Sequence, residues 1–382
     1  MRNGLTIIDC DRHVMEPGDI WDNYLEEDFK HHDLTSEWFG FLTNIGSHPP
    51  VNYAAGGVNV AAPPRATKHT GMAVNPMWRS KFKHSLARKF DNVAYIADMD
   101  REDVDRAVLF TSIGLYATYR NDIDVELAAA MCRGYNNWLH DYCSIDPKRI
   151  KGVCLLPFQD IDAACVELRR AATELGLIGV FWRPNPVLGR RVSHPDYEPL
   201  FALCEELQVV MCSHEGQQES LPYFTRGRNN NTFTRHATSH PTEQMGSFLG
   251  LLTDGVLDRH PGLRVGFLES GAGWLPYWLE RLDTMYANPL FRDAYTAKEQ
   301  PSEYFRRGQC YISGEAGEET LPLFSRLVGE DCLMWASDYP HPDDMEHFPN
   351  TVGGLFENQD ISNEFRRKIL WDNPARFYGF TD

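Results

Sequence analysis

Eight short apolar runs, most of them followed by a longer amphipathic stretch, constrain the fold of this chain more than any other feature. The runs are 5–10 (LTIIDC), 106–111 (RAVLFT), 150–156 (IKGVCLL), 178–182 (IGVFW), 208–213 (QVVMCS), 264–268 (RVGFL), 309–313 (QCYIS) and 332–336 (CLMWA). Helical patterns cover 124–142, 160–175, 196–207, 242–259, 274–287, 318–328 and 362–371. Buried strands joined through helices pair in parallel with right-handed crossovers. Eight of them predict an α/β fold, most simply a (β/α)8 TIM barrel. A doubly wound open sheet is the alternative; the barrel is preferred because ligand-type residues follow several different strands.

With 382 residues, 42% of them hydrophobic and 12% aromatic, the chain can bury one large core, and it reads as a single domain over 1–382. The segment 18–100 does not fit a simple crossover. It holds Pro49-Pro50, Gly56-Gly57 and Pro63-Pro64, with Trp38, Phe39, Phe41 and Trp78 scattered among them. So long an irregular stretch predicts a lid or binding insertion, a partly disordered surface loop being the other possibility. The net charge of −17 and the lack of a Lys/Arg cluster argue against a nucleic-acid partner. No apolar leader and no long uncharged run is present, which predicts neither a signal peptide nor a membrane span. Nine cysteines without CxxC pairing fit reduced, buried thiols in a cytoplasmic protein.

In a barrel the residues just past each strand line the active site. Behind the first run stands Asp9-Cys10-Asp11-Arg12-His13-Val14-Met15-Glu16-Pro17. Strand alternation points Asp11 and His13 the same way and allows Asp9 the same face. Arg183 follows the fourth run, with Trp182 beside it; both are candidates for holding a substrate carboxylate or phosphate, and a structural salt bridge suits the Arg equally. His214 follows the fifth run, Glu269 the sixth, Glu315 the seventh and Asp338 the eighth. Carboxylates and imidazoles crowded at one mouth repel or cost desolvation energy unless a cation organises them. Each alone also fits an ordinary hydrogen-bonded loop residue.

The tracts DCDRHVMEP, SHEG, GVLDRHPGLRVGFLESGAGWLPYWLERLD and MWASDYPHPD resemble those of the amidohydrolase superfamily, in its decarboxylase-like branch. The likeness covers nearly the whole chain outside 18–100. It implies a metal-centred barrel with Asp11 and His13 as the first-strand ligands, His214 as the fifth-strand ligand and Asp338 as the eighth-strand aspartate. One position departs from the branch: a His is usual just before the Gly-rich turn of strand six, and here Glu269 or Ser270 stands there. Two further histidines, His236 and His240, lie between strands five and six at a spacing that shares one helical face, although Pro241 favours a helix start at the second.

A mouth so rich in His and carboxylates is similar to that of the superfamily's non-haem dinuclear-iron monooxygenases, the platensimycin/platencin diterpenoid hydroxylase and 2-aminoisobutyrate hydroxylase. That resemblance implies Asp11, His13, Glu16, His214, His236 or His240, Glu269 and Asp338 shared between two metals, Fe/Fe or Mn/Fe. It predicts a hydroxylase that uses dioxygen and an external electron donor on a small-molecule or acyl substrate, with Glu269 and Asp338 at the chemistry. The alternative is a decarboxylase or hydrolase with one metal such as Zn, in which Glu269 or His240 replaces the missing imidazole and Asp338 ligates or accepts a proton. A third reading is a non-catalytic metal-binding subunit. By analogy of fold, the chain is expected to form a homo-oligomer or to pair with a paralogous chain.

Overall fold

The computed structural model describes residues 2–32, 34, 76–112, 114, 121, 123–214, 224, 232–341 and 345–381. Its centre is a parallel sheet of eight strands in sequence order: β1 Ile8–His13, β2 Arg106–Phe110, β3 Ile150–Cys154, β4 Gly179–Trp182, β5 Val210–His214, β6 Val265–Leu268, β7 Cys310–Gly314 and β8 Leu333–Trp335. Sheet hydrogen bonds link each strand to the next, and the ring closes just past β8. There the His13 amide donates to the Tyr339 carbonyl (2.6 Å) and the Asp338 amide to the Asp11 carbonyl (3.2 Å). This is the (β/α)8 TIM barrel expected from the run count.

Seven strands fall within their expected runs or a residue of them; β1 does not. It begins at Ile8 and carries the polar residues through His13, all six positions buried. Its register against β2 slips between Asp9 and Arg12, a bulge that adds a residue to one strand and re-aims the side chains around it. Asp9 therefore leaves the face shared by Asp11 and His13 and sits with Arg12 on the outer side of the barrel wall, 3.3 Å from Nη1. Simple alternation fails here because the strand is not regular.

Helices wrap the barrel, among them Val125–Cys143, Ile161–Thr173, Glu198–Leu207 and Trp274–Ala287. Their N-termini follow side-chain caps where the sequence offers one: Asp124 accepts from Leu127 N and Asp160 from Ala163 N. The helix after β5 starts earlier than its apolar pattern suggests, running Thr232–Thr253 straight through Pro241, and Gly255 at φ 72° separates it from Val256–Arg259. The closing helix Asn373–Tyr378 seals the barrel from below. Tyr378 donates to the Cys10 carbonyl at 2.7 Å, and Asn373 donates to the Leu333 carbonyl at 2.7 Å.

Of the 18–100 segment, residues 35–75 lie outside the described residues, as do Trp38, Phe39, Phe41 and the Pro and Gly pairs. The part beyond them forms helices Pro76–Lys81, Lys83–Ala87 and Asn92–Arg101. Trp78, Phe82 and Phe90 pack there with Tyr339 and Phe348, and Trp78 Nε1 donates to the Pro340 carbonyl at 2.7 Å. Among the described residues no helix is long and apolar enough to cross a membrane.

Candidate metal centre

Four strand ends converge on His13. Its Nδ1 lies 2.7 Å from the Thr111 carbonyl, which can only accept, so that nitrogen carries the hydrogen and Nε2 is left with its lone pair toward the barrel mouth. Around this Nε2 stand His214 Nε2 at 3.2 Å, Asp338 Oδ1 at 3.2 Å, Glu269 Oε2 at 3.3 Å and Asp11 Oδ1 at 3.5 Å. His214 Nε2 is 2.9 Å from Glu269 Oε2 and 3.5 Å from Asp11 Oδ2. Phe110 and Phe181 hold the His214 ring, at centroid distances of 5.4 and 4.7 Å.

The donor set fits a divalent cation. Asp11 is buried, and neither of its oxygens has a hydrogen-bond partner. An ionised carboxylate desolvated in that way is unfavourable by several kcal/mol unless a positive charge faces it. Burial alone lowers the His214 pKa, but the Asp11 and Glu269 carboxylates outweigh it and push it up to about 10. Burial alone raises Glu269, yet His214 and the neighbouring imidazoles hold it well below the usual carboxylate range. Both shifts mark a cluster that needs positive charge. Asp338 and Glu269 reach inward from left-handed backbone, at φ 53° and 47°, a conformation that costs a non-glycine residue roughly 1 kcal/mol or more.

The atoms of His13, Glu269, Asp338 and His341 lie within 4.8 Å of one another, and those of Asp11, His13 and His214 do so as well. His13 belongs to both sets and has one lone pair left, so the two sets are faces of one centre. Mixed imidazole and carboxylate donors suit Zn, Mn or Fe.

Of the residues singled out in the sequence, Asp11, His13, His214, Glu269 and Asp338 come together. Glu16 does not: its Oε1 accepts from Thr111 Oγ1 and from the amides of Ser112 (3.1 Å) and Gly114 (3.2 Å). His240 borders the cluster, its Nδ1 bonded to the Glu269 carbonyl at 2.7 Å. His236 is exposed one turn away, with ring centroids 4.8 Å apart. Trp182 points out of the barrel, stacked on Phe201 at 5.1 Å and packed on Phe158 and Tyr197; the inward place on β4 is taken by Phe181. Arg183 is buried and donates to Asn185 Oδ1 through Nε and Nη2.

His341 was missed. It stacks on His13 with centroids 4.0 Å apart, its Nδ1 is 2.9 Å from Asp338 Oδ1 and its Nε2 is 2.8 Å from Ser112 Oγ. The signal was its place three residues beyond Asp338.

A family model described as amidohydrolase matches residues 8–380. Gamma-resorcylate decarboxylase of Rhodococcus jostii is 30% identical over 274 residues, 66% of this chain and 78% of the relative. 2-Amino-3-carboxymuconate-6-semialdehyde decarboxylase of Dictyostelium discoideum is 27% identical over 303 residues, 78% and 79% of the two chains. The crystal structure of 5-carboxyvanillate decarboxylase from Novosphingobium aromaticivorans, complexed with manganese and 4-hydroxy-3-methoxy-5-nitrobenzoic acid, is 20% identical. It matches with a TM-score of 0.69 over 99% of this chain and 97% of its own.

The two sequence relatives overturn the expected dinuclear-iron monooxygenase and hydroxylase. They are named for loss of a carboxyl group, a reaction that exchanges CO2 for a proton and moves no electrons to oxygen. Among the described residues the clustered donors gather in one centre around His13, which likewise gives no support to two irons. With the match running from the first residue of β1 to residue 380, the chain belongs to the amidohydrolase family.

Proposed function

We propose that this chain is a metal-dependent decarboxylase of a small unsaturated carboxylic acid. The observation that carries the reading is the buried Asp11 carboxylate, without a hydrogen-bond partner and facing His13 and His214. The names of the sequence relatives supply the reaction. Asp11, His13, His214 and Asp338 are the residues that would hold the ion, with Glu269 alongside. A divalent ion there supplies Lewis-acid polarisation of a substrate oxygen.

The chain's own groups then have to deliver a proton to the carbon that bears the carboxylate. The C–C bond breaks, its electron pair stays with the ring or alkene, and CO2 leaves. Because the imidazole usual at strand six is absent, the proton donor has to come from elsewhere. His341 is placed to serve, being partly exposed and bonded to Ser112 on one side and Asp338 on the other. Neither dioxygen nor an electron donor is needed.

The test is a panel of hydroxybenzoic, aminobenzoic and muconic acids incubated with metal-stripped and Mn2+- or Zn2+-loaded protein, with CO2 release followed in air and under nitrogen. Metal-dependent release that is equal in both atmospheres supports the reading. Turnover that appears only in air refutes it.

A further inference from the structure

We propose that Arg12 is a positioning residue for Asp338, acting through the wall of the barrel from the side opposite the metal centre. The inference rests on reading Asp338 as a ligand, and it goes beyond that reading by naming what holds Asp338 in place.

Arg12 lies between Asp11 and His13 in sequence, and the bulge turns it away from them. It is fully buried. Its Nη1 contacts Glu102 Oε2 at 2.8 Å and Asp9 Oδ2 at 3.3 Å, while Nε and Nη2 have no hydrogen-bond partner. A buried guanidinium that uses one of its three nitrogens is a poor device for stability, since apolar side chains of similar volume often serve as well or better. What it touches explains it better.

Both residues that flank Asp338 are fixed on this cluster. Ser337 donates its amide to Asp9 Oδ1 at 3.0 Å and its hydroxyl to Asp9 Oδ2 at 2.5 Å. Tyr339 lays its ring over the Arg12 guanidinium at 4.0 Å and donates its hydroxyl to Asp98 Oδ2 at 2.6 Å. Glu102 is tied in turn to Thr351 at 2.6 Å. Asp338, at φ 53°, is thus clamped before and after, and its carboxylate is left to face His13. Without the clamp, a backbone in that conformation relaxes and the carboxylate swings off the centre.

The experiment uses full-length wild type, Arg12→Met and Ser337→Ala, each stripped with chelator. Mn2+ binding is measured by calorimetric titration and the thermal unfolding of the metal-free forms is recorded. Partners that orient a ligand from behind typically contribute about 10- to 100-fold in metal affinity. The expected result is a loss of that size in both variants, with the metal-free Ser337→Ala protein unfolding close to wild type. A merely structural role would lower the unfolding midpoint and leave Mn2+ affinity alone. Binding by Ser337→Ala within about twofold of wild type overturns the inference, and that variant decides the matter if Arg12→Met does not fold. Wild-type protein that takes up no Mn2+ fails the reading of the site instead, and the inference falls with it.

Discussion

Glu318 offers the sharpest test of how the mouth is built. Its carboxylate accepts from the Ala272 amide at 3.0 and 2.9 Å, the Gly273 amide at 3.1 Å and the Glu315 amide at 2.9 Å. Two of these amides open the helix Trp274–Ala287, where an anion is favoured by the unpaired N–H groups and the helix dipole. The same turn, with Gly271 at φ 65°, holds Glu269 inward. Hydrogen bonds to a charged group contribute about 1.5–3 kcal/mol each. Three amides at the lower end give about 4.5 kcal/mol. Burial, which pushes the Glu318 carboxyl above its ordinary value despite these bonds, offsets part of it, and Glu318→Ala should cost about 4 kcal/mol. Glu318→Gln keeps one acceptor oxygen and should cost about half as much. With an unfolding entropy near 2.1 cal/mol/K per residue, a chain of 382 residues has roughly 0.8 kcal/mol/K. The Ala variant should therefore melt about 5 °C lower and the Gln variant about 2–3 °C lower. Differential scanning calorimetry measures the shift. Decarboxylation rates should fall with it, since Glu269 loses its support. An Ala variant that melts within about 1 °C of wild type would refute the claim that these amides depend on Glu318.

The remaining predictions concern the centre and the acid limb of stability. Asp11→Ala should abolish stoichiometric Mn2+ or Zn2+ uptake, read by elemental analysis after desalting, while the metal-free protein stays folded. His341→Gln should retain metal and lower kcat by about 10^2- to 10^4-fold, the range typical of a lost general acid; loss of metal in this variant would reassign His341 as a ligand. Glu198 is held down to about 2, chiefly by its bonds to Arg259, with His260 adding to them. A depressed carboxylate stabilises the fold above its ordinary value of 4.5 and loses that contribution as pH falls from 4.5 toward 2. Urea midpoints of Glu198→Gln should accordingly vary less with pH over that window than those of wild type, and parallel profiles would disprove the assignment.

The barrel was legible because seven of the eight buried strands are continuous apolar runs, and the crossovers after the first are amphipathic. The clustered aspartates and histidines were legible because a strand end is a position that sequence order alone identifies. Three things were not legible. The bulge in β1 breaks the alternation that placed Asp9, and nothing local announces it. Trp182 and Phe181 are neighbours with opposite faces, and a one-residue difference in where β4 meets the mouth decides which turns inward. Glu16 looks like a donor until Thr111, Ser112 and Gly114, nearly a hundred residues on, are seen to occupy its Oε1. A count of donors along the sequence overstates the centre, because both groups of them share the His13 imidazole.

The slipped register of β1 also limits how this segment can change. Deleting or inserting one residue between Asp9 and His13 would not merely shorten a strand. It would exchange the two sides, sending Arg12 into the mouth and an imidazole into the wall behind it. Point substitutions there can be graded in their effects, whereas a change of length by one is all or nothing.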